Sequence, residues 1–86
     1  MQFRILIIDD EEVIRNSIAL YLRREGYQVD TCATGEEGLR RIEDVDPDLV
    51  LLDFKLPTLG GLEVLKRAKE GKGTTFTILF RTRPAR

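Results

Sequence analysis

The sequence predicts an α/β fold in which helices cover both faces of a mostly parallel sheet, giving three layers. Two unbroken apolar runs, residues 5–8 and 49–52, are typical of parallel strands that are buried on both faces. Segments with apolar residues at helical spacing separate the strand-like segments, so the predicted order is β-α-β-α-β-α-β. With 86 residues, the chain has the size of one small domain.

The first half of the chain contains two predicted strands and two predicted helices. Residues 4–8 form the first strand, and Asp10 can cap the helix that follows it. That helix ends at Gly26, because glycine readily adopts the left-handed conformation found at helix C-termini. Residues 27–32 alternate between apolar and polar side chains, which predicts a strand with one wet face. The segment Thr-Gly-Glu-Glu at 34–37 is a capping box and begins the second helix.

The second half continues the pattern with two more strands and a helix. The third strand, residues 49–52, ends abruptly at Asp53. A loop at 57–61 leads to a third helix over about 62–69, and residues 75–80 form a fourth strand. The first and third strands are apolar throughout and are therefore central, whereas the alternating second strand belongs at an edge. The predicted strand order is therefore 2-1-3-4.

Three acidic residues follow the two central strands. Asp9 and Asp10 come after the first strand and Asp53 ends the third, so neighbouring strands would bring these carboxylates together. Ligands bind at such a point, where the chain changes direction across the sheet. Crowded carboxylates need protonation or a cation, and oxygen ligands suit Mg²⁺. A carboxylate beside Mg²⁺ could attack a phosphoryl donor. Alternatively, the acids only end a strand and cap a helix.

Composition excludes several function classes. The chain has 42% hydrophobic and 34% charged residues, no histidine, and Cys32 as its single cysteine, so disulfides and cysteine-based metal sites are excluded. Its apolar runs are too short to span a membrane, and we expect a cytoplasmic protein with no membrane association. Residues 66–86 carry seven basic residues against one acidic residue. Because no aromatic residues interleave the basic ones within 66–72 or within 81–86, nucleic-acid binding is disfavoured and a solvated surface is expected.

Several segments resemble the receiver domains of bacterial response regulators. They are ILIIDDEE in the first strand, LVLLDFKLP around the third strand, and the Gly60-Gly61 pair that follows. The resemblance covers about residues 3–80 and implies a three-layer, flavodoxin-like fold. It also implies that Asp53 is the phosphoacceptor and that Asp9 and Asp10 hold Mg²⁺.

The resemblance extends to the loop after the third strand. It implies that the backbone carbonyl of Lys55 completes the protein ligands of the metal, together with Asp53 itself. Pro57 and Gly60 would shape the loop beside the site. Receiver domains also have a hydroxyl residue at the end of the fourth strand. Depending on register, Arg81 or Thr82 occupies that position, so Thr82 is a candidate for contact with the phosphoryl group.

The chain departs from the family pattern towards its end. The family has five strands and five helices with a lysine after the fifth strand, whereas this sequence supplies four strands and three helices. We therefore expect an incomplete receiver domain over residues 1–80 and a basic tail over 81–86. The fourth strand would then be an exposed edge that permits self-association, and part of the apolar sheet face would be bare.

Two functional interpretations follow. The first is a phosphoacceptor switch of two-component signal transduction, not an enzyme, which takes a phosphoryl group from a histidine kinase with Mg²⁺. The alternative is a truncated receiver fragment without phosphotransfer, acting at most as a protein-interaction module. An aspartate-nucleophile phosphatase is disfavoured because Lys55 stands where a second acid is expected. A dinucleotide-binding domain is disfavoured because the first strand runs into acidic residues and not a glycine-rich turn.

Overall fold

The computed structural model describes residues 3–53, 63, 67, 70 and 77–81. Its strands are β1 (Arg4–Ile8), β2 (Gln28–Cys32), β3 (Leu49–Asp53) and β4 (Thr77–Arg81), and its helices are α1 (Glu12–Arg24) and α2 (Gly35–Val45). Residues 63, 67 and 70 are helical, and the Nε of Arg67 lies 3.2 Å from the Oε2 of Glu63. The rest of the predicted third helix and the loop at 57–61 lie outside the described residues.

The four strands form one parallel sheet. Their order is β2-β1-β3-β4, so the predicted order is confirmed. In the register, Ile8 pairs with Cys32 on one side and with Leu52 on the other. The carboxyl ends of β1 and β3 are therefore neighbours, at the edge of the sheet where the acidic residues lie.

The sheet separates two apolar clusters, one on each face. The α2 side contains Leu6, Ile8, Cys32, Ile42, Val50 and Leu52. The α1 side contains Ile5, Ile7, Ala19 and Val29. Alternate residues of β1 thus enter opposite layers, as the pleat of a strand requires. The three-layer α/β prediction is confirmed.

The wet face predicted for β2 is only partly present. Gln28 is exposed and Asp30 is half-buried, but Cys32 on the same face is buried. The reason is that α2 covers this side of the sheet, and Cys32 packs with its Ile42. The alternation of apolar and polar residues in β2 therefore does not reveal that Cys32 is covered on the α2 side.

Helix α1 differs from the sequence-based prediction at both its start and its surface. Its N-cap residue is Glu11 and not Asp10, and the Glu11 side chain makes no capping hydrogen bond. Of the apolar residues that give α1 its periodicity, Val13 is 78% exposed and Tyr21 is 63% exposed. The fully buried contact is instead made by the small residue Ala19. Part of the apolar pattern of α1 consequently faces water.

Helix α2 has the N-cap residue that the capping box predicts, Thr34, but the reciprocal bond of Glu37 goes to the residue before the N-cap. The hydroxyl of Thr34 accepts a hydrogen bond from the backbone N–H of Glu37 at 3.1 Å. The carboxylate of Glu37 accepts one from the backbone N–H of Ala33 at 3.4 Å. Further along, Gly38 lies so close to β1 that a Cβ there would meet the side chain of Ile8, with 3.0 Å to its Cγ1. The helix therefore depends on a glycine to approach the sheet.

Arg4 connects the amino end of the sheet to the segment between α2 and β3. Its backbone N–H donates to Oδ2 of Asp48 at 2.9 Å, and the Asp48 N–H donates back to the Arg4 carbonyl at 2.8 Å. Its Nη1 donates to the carbonyl of Val45 at 3.0 Å. Its Nε lies 3.8 Å from a carboxylate oxygen of Asp30. One residue thus joins β2, the end of α2 and the segment that leads into β3.

The apolar cover on the α1 side decreases towards β4. Helix α1 packs mainly over β2 and β1. Ile7, Leu51 and Leu79 are paired across the sheet, and their exposure rises from 1% at Ile7, through half-burial at Leu51, to 52% at Leu79. Leu79 on the terminal strand β4 is thus an exposed apolar residue, whereas the bare central face expected from the sequence stays a prediction. Within the described part of the chain, no helix has the length and apolarity needed to cross a membrane.

Candidate metal centre

Three carboxylates meet at the carboxyl ends of β1 and β3. One oxygen from each of Asp9, Asp10 and Asp53 lies within 4.8 Å of the others. Asp9 is 2% exposed and Asp53 is 1% exposed, whereas Asp10 is exposed. The convergence of these three side chains, expected from the strand order, is confirmed. The site is closed on the side of the sheet and open on the side of Asp10.

Asp9 is fixed through its backbone and its side chain. Its N–H donates to the carbonyl of Cys32 at 3.1 Å, which continues the pairing of β1 with β2. Its Oδ1 accepts from the N–H of Glu11 at 2.9 Å. Its carbonyl accepts from Nη1 of Arg15 at 3.0 Å. The first acid of the site therefore has little freedom to move.

The charge density of the cluster suits a small divalent cation. Two unit charges 4 Å apart interact by about 4 kcal/mol at an effective dielectric of 20, so three such carboxylates strongly favour a nearby positive charge. All three donors are oxygens, as Mg²⁺ prefers, and Mg²⁺ usually keeps several waters beside one or two carboxylates. The exposure of Asp10 leaves one side for water or phosphate oxygens. Asp9, Asp10 and Asp53 therefore fit Mg²⁺.

Cys32 borders this edge of the sheet but does not suit a metal. Burial raises the pKa of its thiol to about 12, and the negative charge of Glu37 acts in the same direction. At neutral pH the side chain is therefore a neutral thiol, and only the thiolate binds metals well.

The sequence left either Arg81 or Thr82 as the residue at the end of β4 beside the phosphoacceptor. The backbone register pairs Arg81 with Asp53, so Arg81 is the β4 residue beside the predicted phosphoacceptor. Thr82 follows it outside the described residues, and its contact with a phosphoryl group stays a prediction. The remaining predicted site residues also lie outside the described part of the chain: Lys55, Pro57 and Gly60.

Sequence reasoning missed one residue of this region. Arg15 is on α1, six positions after Asp9, and its contact with the Asp9 carbonyl spans the turn that carries Asp10. The only signal in the sequence was a basic residue placed shortly after an acidic run. That signal is weak, because arginine is common on exposed helix surfaces.

Comparison with known proteins decides the family. A model of the response regulator receiver domain matches residues 5–85. The chain belongs to the receiver domain family. This receiver domain is 44% identical over 82 residues to the alkaline phosphatase synthesis transcriptional regulatory protein PhoP of Bacillus subtilis, a match that covers 95% of the chain and 34% of PhoP. The resemblance inferred from the sequence motifs is confirmed, whereas the boundary predicted at residue 80 stays a prediction.

Two further relatives extend the comparison. Sporulation initiation phosphotransferase F of Bacillus subtilis is 44% identical over 69 residues, covering 80% of the chain and 56% of that protein. The response regulator protein TrrA of Thermotoga maritima, solved in complex with Mg²⁺-BeF, has a TM-score of 0.88 and 37% identity, covering 98% of the chain and 72% of TrrA. The receiver domain thus spans about a third of the length of PhoP and somewhat over half of the phosphotransferase.

Proposed function

We propose that this receiver domain is a phosphoacceptor switch in which Asp53 takes a phosphoryl group from a histidine kinase in the presence of Mg²⁺. The observation that carries the proposal is the meeting of Asp9, Asp10 and Asp53 within 4.8 Å. Family membership supports the same assignment, since the match with the receiver domain model includes all three acids. The domain acts as a stoichiometric acceptor, not as an enzyme that turns over a substrate.

The chemistry assigns a separate task to each acid. A carboxylate oxygen of Asp53 forms a bond to the phosphorus of the donor, and the bond from phosphorus to the leaving group breaks, with the electron pair leaving on that group. Asp9, Asp10 and Asp53 would hold the metal, with the Lys55 carbonyl as a further ligand by family resemblance. Bound Mg²⁺ supplies charge neutralisation for the phosphoryl oxygens.

Family membership supports the proposed partners and location. Receiver domains exchange phosphoryl groups with histidine kinases or phosphotransfer proteins, and one relative is itself named a sporulation initiation phosphotransferase. We propose a cytoplasmic location, in keeping with membership of the receiver domain family.

Self-association is a further part of the proposal. Within the described strands, β4 is the terminal strand of the sheet, and Leu79 exposes 52% of its surface there. An open strand edge beside apolar surface favours pairing with a second copy. Analytical ultracentrifugation of the wild type and Leu79→Lys tests this. We expect a concentration-dependent dimer that the substitution abolishes, and a wild type that stays monomeric throughout contradicts self-association.

Phosphorylation itself is tested with acetyl phosphate as the donor. The wild type is incubated with Mg²⁺ and acetyl phosphate, and its intact mass is compared with that of Asp53→Asn. Asp44→Asn is the matched control, because Asp44 is an exposed carboxylate on α2. We expect one phosphoryl adduct on the wild type and control, and none on Asp53→Asn. No adduct on any of them would favour the alternative, a domain without phosphotransfer that acts at most as a protein-interaction module.

A further inference from the structure

We propose that Arg15 is a positioning residue for the metal centre, which clamps the turn carrying Asp9 and Asp10. The inference rests on the proposed function, since it concerns the same Mg²⁺ site. Its basis is the hydrogen bond from Nη1 of Arg15 to the Asp9 carbonyl at 3.0 Å. Arg15 is half-buried, so this contact is partly protected from water.

Arg15 holds the turn on both sides of Asp10. Its side chain binds the carbonyl of Asp9, while its backbone N–H donates to the carbonyl of Glu11 at 2.9 Å. The residue between these two anchors is Asp10, which is exposed. The two hydrogen bonds therefore anchor the backbone on either side of Asp10.

The clamp also stabilises the orientation of the Asp9 carboxylate. Oδ1 of Asp9 accepts from the N–H of Glu11, the residue whose carbonyl Arg15 binds. Contacts of this kind, which orient a metal-binding carboxylate without touching the metal, change metal affinity when they are removed. The bond to Glu11 comes from the backbone and remains in side-chain variants, so the Arg15 side chain acts on the metal centre through the Asp9 carbonyl.

The charge of Arg15 has the opposite effect on Mg²⁺, which makes the proposal testable. A guanidinium that contacts Asp9 repels a divalent cation bound to that residue, so removing its charge alone would tighten Mg²⁺ binding. Removing the clamp would loosen the ligands and weaken binding. The sign of the change in affinity therefore distinguishes a positioning residue from a nearby charge.

The experiment measures Mg²⁺ affinity by isothermal titration calorimetry and stability by urea unfolding. Arg15→Met keeps much of the side-chain length but removes both the charge and the donors, and Arg15→Lys keeps the charge. Arg24→Met is the matched control, because Arg24 is exposed in the last turn of α1. It lies roughly 14 Å further along the helix axis, given 1.5 Å per residue.

We expect Arg15→Met to weaken Mg²⁺ binding about tenfold, the lower end of the range for residues that support metal ligands. Arg24→Met should leave the affinity unchanged, and Arg15→Lys should fall between the wild type and Arg15→Met. Unchanged or tighter binding in Arg15→Met overturns the proposal. If Arg15→Met does not fold, the Mg²⁺ affinity of Arg15→Lys is compared with that of the wild type. Weaker binding then supports the proposal, and unchanged or tighter binding overturns it. A wild type that binds no Mg²⁺ overturns the metal centre itself, whereas normal binding in the variants overturns only the role of Arg15.

Discussion

The contact between Gly38 and Ile8 allows a quantitative test of how closely α2 approaches the sheet. In an exposed helix, Gly→Ala is stabilising by about 1 kcal/mol, because alanine loses less backbone entropy on folding. At Gly38 the new Cβ would instead meet the buried side chain of Ile8, with Cγ1 at 3.0 Å and Cδ1 nearer still. Overpacking a core in this way costs about 1–3 kcal/mol. The net expectation for Gly38→Ala is a loss of about 0–2 kcal/mol in the free energy of unfolding.

A double-mutant cycle with Ile8→Val isolates this contact. Ile8→Val removes Cδ1 and by itself costs about 0.5–1.5 kcal/mol. If the methyl group added by Gly38→Ala occupies the space vacated by Cδ1, the double variant should be about 1 kcal/mol more stable than the sum of the single changes indicates, within the range for residues in contact. Urea unfolding of the four proteins provides the measurement. Gly38→Ala that is more stable than the wild type, or a cycle without coupling, would refute the close approach.

Four further predictions concern the site and the sheet edges. Mg²⁺ should raise the unfolding midpoint of the wild type and raise that of Asp10→Asn less, because one ligand is lost; EDTA should reverse both effects in a thermal melt. Arg4→Met should lower the free energy of unfolding by about 1–3 kcal/mol in urea, because the carbonyl of Val45 loses its donor. Burial raises the pKa of the Cys32 thiol from 9.0 to about 12, so its contribution to the free energy of unfolding is fully present below about pH 9. This contribution should decline as the pH rises from 9.0 towards about 12, and Cys32→Ala should remove that decline. If the Thr82 hydroxyl contacts the phosphoryl group, Thr82→Val should slow labelling by acetyl phosphate. If only Arg81→Ala slows labelling, the contact belongs to Arg81, the residue paired with Asp53.

The sequence contains enough information to predict the sheet and the meeting of its acidic ends. The apolar runs of β1 and β3 indicate central strands, and the acids follow directly after them, so strand order alone brings Asp9 close to Asp53. These features depend on the period of the sequence and on chain topology. The spacing of apolar residues and the rules for connecting parallel strands can both be applied to a single sequence.

The features that the sequence did not predict depend on tertiary geometry. Helical periodicity identifies an apolar face, but the neighbours decide which part of it is covered, and Val13 therefore remains exposed. The alternation in β2 suggested a wet side for Cys32, yet α2 covers it. The choice of Glu11 over Asp10 as N-cap depends on backbone angles in the turn. The contact of Arg15 with Asp9 depends on the reach of a long side chain, which no pattern specifies.

The hydrogen bonds between Arg4 and Asp48 have a consequence for how the chain folds. These residues are 44 positions apart, so their contact closes a loop that contains α1, β2 and α2. Closing a long loop has an entropic cost before its contacts become favourable, and parallel pairing of distant strands therefore slows folding. We expect the amino edge of the sheet to form after α1 and α2 have gained local structure, with Arg4 joining the native contacts late in the folding reaction.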